Sequence, residues 1–230
     1  TVTDANIEYP GSLTLDAALM HSSGLLFVTG KAGTGKSTVL RELRNSRKAI
    51  VLAPTGLAAV NVGGQTVHSF FGIKPGPVND AMVGGLRDRA KKALKECKCI
   101  VIDEISMVRA DLMDAIDKCL RRTYDEAAPF GGIAIVAFGD PYQIEPVVST
   151  DAEAQMLGDT YRSPFFFDAK CLAGKNIRAI ELTQSFRQEE GSPFIHALNA
   201  IRMGFDAVLD ALDLLNSQVK SINQVSEHTI

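Results

Sequence analysis

Apolar residues fall in short unbroken blocks separated by amphipathic stretches. Blocks at 25–29, 49–53, 99–102 and 133–138 have the length and continuity of strands buried on both faces, and a short strand is predicted at 177–182. Between them the spacing changes to that of helices. Residues 37–44 read as an amphipathic helix. Pro54 stops the second block, Thr55 suits a helix cap, and 58–60 begin the next helix. Residues 87–98 are basic, with Ala90, Ala93, Leu94 and Cys97 on one face. Residues 107–123 form a longer helix that Ser106 can cap, with Leu112, Ile116 and Leu120 facing inward. Further helices are predicted at 193–203 and 206–215, and a short one near Leu13, Leu15, Ala18 and Leu19. The aromatic run Phe165, Phe166 and Phe167 suits a core, and the polar tail 216–230 suits a frayed end. Strands alternating with helices predict an α/β fold, a mostly parallel sheet with helices on both faces.

One stretch, 72–85, breaks the alternation. It holds Pro75, Pro77 and glycines at 72, 76, 84 and 85, which predicts a loop or small hairpin standing out from the sheet.

Chemistry gathers where the apolar blocks end. In open α/β sheets ligands bind beyond the carboxyl ends of the strands. The first block runs into Gly30-Lys31-Ala32-Gly33-Thr34-Gly35-Lys36-Ser37, which fits the phosphate-binding loop G-x-x-x-x-G-K-[ST]. Glycines let successive N–H groups turn toward a phosphate, and the following helix adds its positive end. Lys36 can reach the outer phosphates and Ser37 can offer a hydroxyl to Mg²⁺.

The third block ends in Asp103 and Glu104. Packing alone does not explain two carboxylates there, because burying them is costly. Asp103 is placed to hold Mg²⁺ through its waters, and Glu104 to polarise an attacking water. The fourth block ends in Gly139-Asp140-Pro141-Tyr142-Gln143, on the same edge. Arg187 follows the last strand and is either a surface arginine or a nucleotide contact. His68, beside Phe70 and Phe71, reads first as a packed residue and second as a ligand contact. The basic helix 87–98 reads first as a solvated face and second as a nucleic-acid patch.

Composition adds limits. The 230 residues are 46% hydrophobic and 22% charged, ordinary for a globular chain. No apolar run approaches the roughly 20 residues needed to cross a bilayer. Residues 1–12 lack the basic start and apolar core of a signal peptide, so an intracellular protein is expected. With 24 basic and 27 acidic residues the net charge is −3. That excludes a globally basic nucleic-acid coat but not a local groove. Cys97, Cys99, Cys119 and Cys171 form no C-x-x-C pair and have no histidine at zinc-ligand spacing, so reduced thiols are expected.

Taken together, GKAGTGKS, APTGLAAVNVGGQTVHSFF, IVIDEISMV, GDPYQ and LTQSFRQ, in that order, resemble the first motor domain of Pif-type superfamily-1 DNA helicases, relatives of the RecD helicases. The resemblance covers roughly 25–203. It implies a RecA-like P-loop NTPase fold and ATP-driven 5′-to-3′ movement on single-stranded DNA. ATP would be cradled by Gly30, Ala32, Gly33, Thr34, Gly35, Lys36, Ser37 and Thr38. Ser37 and Asp103 would hold Mg²⁺. Lys36, Glu104, Gln143 and Arg187 would be catalytic, with Glu104 as base, Gln143 as γ-phosphate sensor and Arg187 as arginine finger. Pro54, Thr55, Gly56, His68 and Ser69 would contact DNA.

The resemblance further implies one RecA-like domain over 1–230 with a strand-separating, wedge-like insertion at about 72–88. It also implies a second motor domain beyond this chain; a monomeric state and no membrane partner are expected. This sequence departs from the family pattern in having no glutamine in 15–19 to read adenine. It also has Ile144-Glu145-Pro146 where Leu-Pro-Pro is usual. A P-loop NTPase or kinase acting away from DNA is the alternative, which would leave Thr55 and His68 without a role.

Overall fold

A computed structural model of the chain describes residues 25–79, 83–97, 99–125, 127–174 and 177–184. Among them six strands form one sheet: β1 (Leu25–Gly30), β2 (Ile50–Ala53), β3 (Gln65–Thr66), β4 (Cys99–Ile102), β5 (Ala134–Phe138) and β6 (Arg178–Leu182). Their order is β3-β2-β4-β5-β1-β6, and every neighbouring pair is parallel. Six helices accompany them: α1 (Lys36–Arg47), α2 (Gly56–Asn61), α3 (Val67–Phe71), α4 (Asp88–Cys97), α5 (Ala110–Thr123) and α6 (Asp151–Thr160).

The inner strands β1, β2, β4 and β5 read as nearly unbroken apolar runs because both faces are covered, whereas the edge strands β3 and β6 carry polar side chains. Successive side chains point to opposite faces, and the core divides accordingly. Leu26, Val28, Val101, Val136 and Phe138 meet Val39, Leu40 and Leu43 of α1. Leu25, Phe27, Ile100, Ile102, Ile135 and Ala137 lie on the other face. They share a cluster with Phe70 and Phe71 of α3, Leu94 of α4, and Met113, Ile116 and Leu120 of α5. Fully burying one such side chain is worth about 1.5–3 kcal/mol.

Thr55 caps α2 as expected, its hydroxyl accepting the Ala58 N–H at 3.3 Å. The predicted inner face of the long helix, Leu112, Ile116 and Leu120, is buried. None of the four cysteines forms a disulfide among the described residues. No described helix is long and apolar enough to cross a membrane.

Four expectations change. Ser106 caps nothing: a short 3-10 turn, Ile105–Met107, follows Glu104, and α5 starts only at Ala110, with Arg109 at its cap position. Ala93 is exposed because the buried stripe of α4 narrows to Leu94, flanked by half-buried Ala90 and Cys97. The phenylalanine run is split. Phe166 is buried on Phe27 with ring centroids 5.3 Å apart, whereas Phe167 is 40% exposed. The Pro/Gly-rich stretch has no strand among its described residues, and it does not stand clear of the core. Val83 and Leu86 are buried, and Val78 packs against the same cluster.

The expected lead-in helix, the helices at 193–203 and 206–215, the tail 216–230 and Arg187 lie outside the described residues.

Candidate nucleotide site and nucleic-acid edge

β4, β5 and β1 are adjacent in the sheet, so the turns that leave their carboxyl ends converge. The turn after β1 is the glycine-rich loop. Gly30 is required there: a Cβ would lie 2.6 Å from both the Leu182 carbonyl oxygen and the Thr34 hydroxyl. Thr34 is buried and ties the loop to itself, its hydroxyl donating to the Lys31 carbonyl at 2.8 Å. Gly35 sits in the left-handed region at φ 85° and no side chain caps α1. The positive end of a twelve-residue helix therefore opens onto the loop, which suits an anion. Ala32, Ser37 and Thr38 are exposed and Gly33 is half-buried on this surface. The Lys36 ammonium bends back to donate to the Gly30 carbonyl and, at 3.0 Å, to that of Lys31.

The turn after β4 carries both predicted carboxylates. The Asp103 N–H continues the sheet by donating to the Leu52 carbonyl at 2.9 Å, which fixes its position. Glu104 adopts a left-handed conformation, φ 49°, a strain of about 1–3 kcal/mol for a residue with a side chain. Burial pushes the Asp103 carboxyl above the usual range, while the Glu104 N–H and Lys36 pull it down. Burial also raises Glu104, reinforced by Asp103 and Asp140 and opposed by Lys36. These mutual influences place Lys36, Asp103, Glu104 and Asp140 in one electrostatic neighbourhood.

Asp140 is the residue that sequence reasoning did not single out. It is fully buried after β5. Its carboxylate accepts the Tyr142 N–H at 3.1 Å and its carbonyl accepts the Gln143 N–H at 3.0 Å. It thereby shapes the turn that leaves Gln143 exposed between the glycine-rich loop and the Asp103 turn. A strand ending in Gly-Asp-Pro was the available signal.

The donor set fits a hard divalent cation. The Asp103 and Glu104 carboxylates and the Ser37 hydroxyl offer oxygen, while among the described residues no group of three or more His, Cys, Asp or Glu side chains could hold a metal by itself. An open oxygen site of this kind suits Mg²⁺, which keeps waters and takes substrate phosphates as ligands.

The remaining candidates sit further along the same edge, beyond β4 at the ends of β2 and β3. Pro54 and Thr55 are half-buried, and Gly56 and Ser69 are exposed. Gly56 has open space around its would-be Cβ and no left-handed φ, so neither packing nor conformation within the described residues requires a glycine. His68 is half-buried, and its Nδ1 has no hydrogen-bond partner among the described residues. Burial lowers its pKa, with Arg109 adding to the shift and Ile73 and Asp111 opposing it. The predicted residues therefore form two groups, one around the glycine-rich loop and one at β2 and β3. Arg187 lies outside the described residues.

Residues 12–210 match the profile of the PIF1-like helicase family. The chain is 39% identical over 190 residues to the ATP-dependent DNA helicase PIF1 of Candida albicans, covering 78% of this chain and 21% of that protein. It is 35% identical over 184 residues to the human ATP-dependent DNA helicase PIF1, covering 78% and 27%. The crystal structure of Bacteroides Pif1 bound to single-stranded DNA matches with a TM-score of 0.76 at 40% identity, over 90% of this chain and 49% of that one. That of Pif1 helicase from Bacteroides with ADP-AlF3 and single-stranded DNA gives 0.77 at 41% identity, over 89% and 48%. The chain thus spans about a quarter or less of these two curated relatives and about half of the solved chains. By family profile and by fold, this chain belongs to the PIF1-like helicases.

Proposed function

We propose that this chain is the ATP-binding motor domain of an ATP-dependent DNA helicase that moves 5′ to 3′ along single-stranded DNA. The observation that carries the reading is the convergence of Lys36, Asp103 and Glu104 at the ends of β1 and β4, with a second candidate group on the same edge. A nucleotide and a DNA strand would then share one sheet edge, separated by the width of a strand or two.

In this reading the glycine-rich loop, Gly30 to Thr38, wraps the phosphates with backbone N–H groups. Lys36 exchanges the carbonyls of Gly30 and Lys31 for phosphate oxygens. Ser37 and Asp103 would hold Mg²⁺, which when bound neutralises charge developing on the phosphates. Glu104 orients the attacking water and takes its proton. A carboxyl held above its ordinary range by burial is a stronger base than a solvated one. Gln143, on the turn shaped by Asp140, senses the γ-phosphate. Arg187 serves as an arginine finger, a role worth about 10³–10⁵ in rate.

Pro54, Thr55, Gly56, His68 and Ser69 line the strand path. Thr55 already spends its hydroxyl on capping α2, so its contribution is to hold the Gly56 backbone in place. The second wall of the nucleotide site comes from a second motor domain. The 230-residue chain by itself therefore binds ATP weakly, turns it over very slowly and opens no duplex. The working protein acts inside the cell as a monomer.

Strand separation tests this reading. Full-length protein with ATP and Mg²⁺ should open a duplex bearing a 5′ single-stranded tail and leave a 3′-tailed duplex closed. Opening of neither, with ATP hydrolysis intact, would contradict it.

A further inference from the structure

α3 ends at Gly72, where the chain leaves the sheet edge, and it returns at Arg87. The two meet: a Cβ on Gly72 would lie 3.2 Å from the Arg87 guanidinium. The excursion between them thus has a closed neck, and its two described flanks, 73–79 and 83–86, are both fastened to one helix, α5.

The first flank is held at the start of α5. Arg109 donates to the Gly76 carbonyl at 2.8 Å, and the Val78 N–H donates to Asp111 at 2.9 Å. The second flank is held at the other end. The Leu86 N–H donates to the Thr123 hydroxyl at 2.8 Å, and the Arg122 guanidinium donates to the Val83 carbonyl.

Arg109 and Asp111 form a two-pronged pair, with contacts of 2.9 and 2.7 Å. Their side chains are 11% and 2% exposed. The Asp111 carboxylate also accepts the Leu112 N–H, and Arg109 reaches Glu153 of α6 at 3.6 Å. His68, in the candidate DNA group, feels both charges.

A buried ion pair is weak evidence for stability, because apolar residues of similar volume often hold a fold as well. Directional hydrogen bonds do something apolar packing does not: they fix the Gly76–Val78 backbone in one place. The position of the pair matters too. Only the Ile105–Met107 turn and Val108 separate Arg109 from Glu104. One rigid helix therefore begins beside the catalytic carboxylates and grips both flanks of the loop.

We propose that Arg109 and Asp111 are positioning residues for strand separation, holding the loop in register with the nucleotide site so that turnover is converted into duplex opening. This rests on the helicase reading above. It predicts a split between two activities rather than a loss of both.

The test uses full-length protein and three variants: Asp111→Asn, Arg109→Lys and Thr123→Val. The last removes one of the two ties on the far flank without leaving a buried charge unpaired, so it remains informative if a change in the pair prevents folding. Each is assayed for melting temperature, for ATP hydrolysis with single-stranded DNA, and for base pairs opened per ATP on a 5′-tailed duplex. In every folded variant hydrolysis and its dependence on DNA concentration should stay near wild type. Base pairs opened per ATP should fall about tenfold, as a small misplacement of working parts can cause. Parallel loss of both activities in folded variants would overturn the proposal, as would unwinding per ATP that does not change. Failure of the wild type to open any tailed duplex would instead overturn the helicase reading itself.

Discussion

The Lys36 ammonium donates to the carbonyl of Gly30, the residue that opens the loop on which Lys36 sits. The lysine thus rests on its own backbone, and a phosphate must compete with two carbonyls for it. Hydrogen bonds to a charged group are worth about 1.5–3 kcal/mol each at most, and Lys36 is half-exposed. Lys36→Ala should therefore lower the melting temperature only slightly while abolishing nucleotide-dependent stabilisation. A thermal melt with and without Mg²⁺-ATP measures both.

Asp103 and Glu104 should show the opposite trade. Burial first, and mutual repulsion second for Glu104, hold both carboxyls above their ordinary range. A folded-state value raised above the unfolded one means the folded chain keeps its proton to higher pH. Stability contributed by these groups is complete below the unfolded value and is lost as pH rises through the folded one. At neutral pH the charged pair is therefore a burden on the empty protein. Asp103→Asn and Glu104→Gln should each melt higher than wild type at pH 7, and the gap should close as pH falls through the carboxylate range. Glu104→Gln should also lose turnover by roughly 10²–10⁴, the usual share of a general base, while still binding ATP. Calorimetry across pH, together with steady-state hydrolysis, checks both halves.

Gly56 offers a cleaner probe of the DNA edge. A methyl group there meets nothing within 4 Å among the described residues, and the backbone is not left-handed. Gly56→Ala should leave stability unchanged or slightly improved, since alanine restricts the unfolded chain. If the strand backbone approaches this point, affinity for single-stranded DNA should fall severalfold, as fluorescence anisotropy with a labelled oligonucleotide would register. Unaltered affinity would remove Gly56 from the proposed contacts.

Ser106 stands differently. Its hydroxyl is buried without a hydrogen-bond partner among the described residues, and such a group costs about 1–3 kcal/mol. Ser106→Ala should raise the unfolding free energy by up to that amount, measurable by urea titration.

Much of this arrangement was legible before any coordinates. Parallel strands covered on both faces leave nearly unbroken apolar runs, so β1, β2, β4 and β5 could be read, each to within a residue, and the edge strand β6, RAIEL, was read as a short strand to the same precision. The ends of β1 and β4 announced themselves through the glycine loop and the paired acids. Local chemistry misled at Ser106. A serine before an apolar periodic stretch looks like a cap, but the left-handed Glu104 feeds a 3-10 turn, and α5 starts later. The two-residue β3 was too short to give a pattern, and α6 buries only Leu157, so no periodic face marked it. The Arg109–Asp111 pair was illegible for another reason. Its ties to Gly76 and Val78 join residues 33 positions apart in the chain, and only the folded chain shows what the two charges hold.

ATP hydrolysis by the full-length protein, measured with and without single-stranded DNA and beside Lys36→Ala, tests the central claim most directly. The account predicts slow hydrolysis alone, strong stimulation by single-stranded DNA that weakens as salt rises, and neither in the Lys36→Ala protein. Equal rates with and without DNA would contradict it.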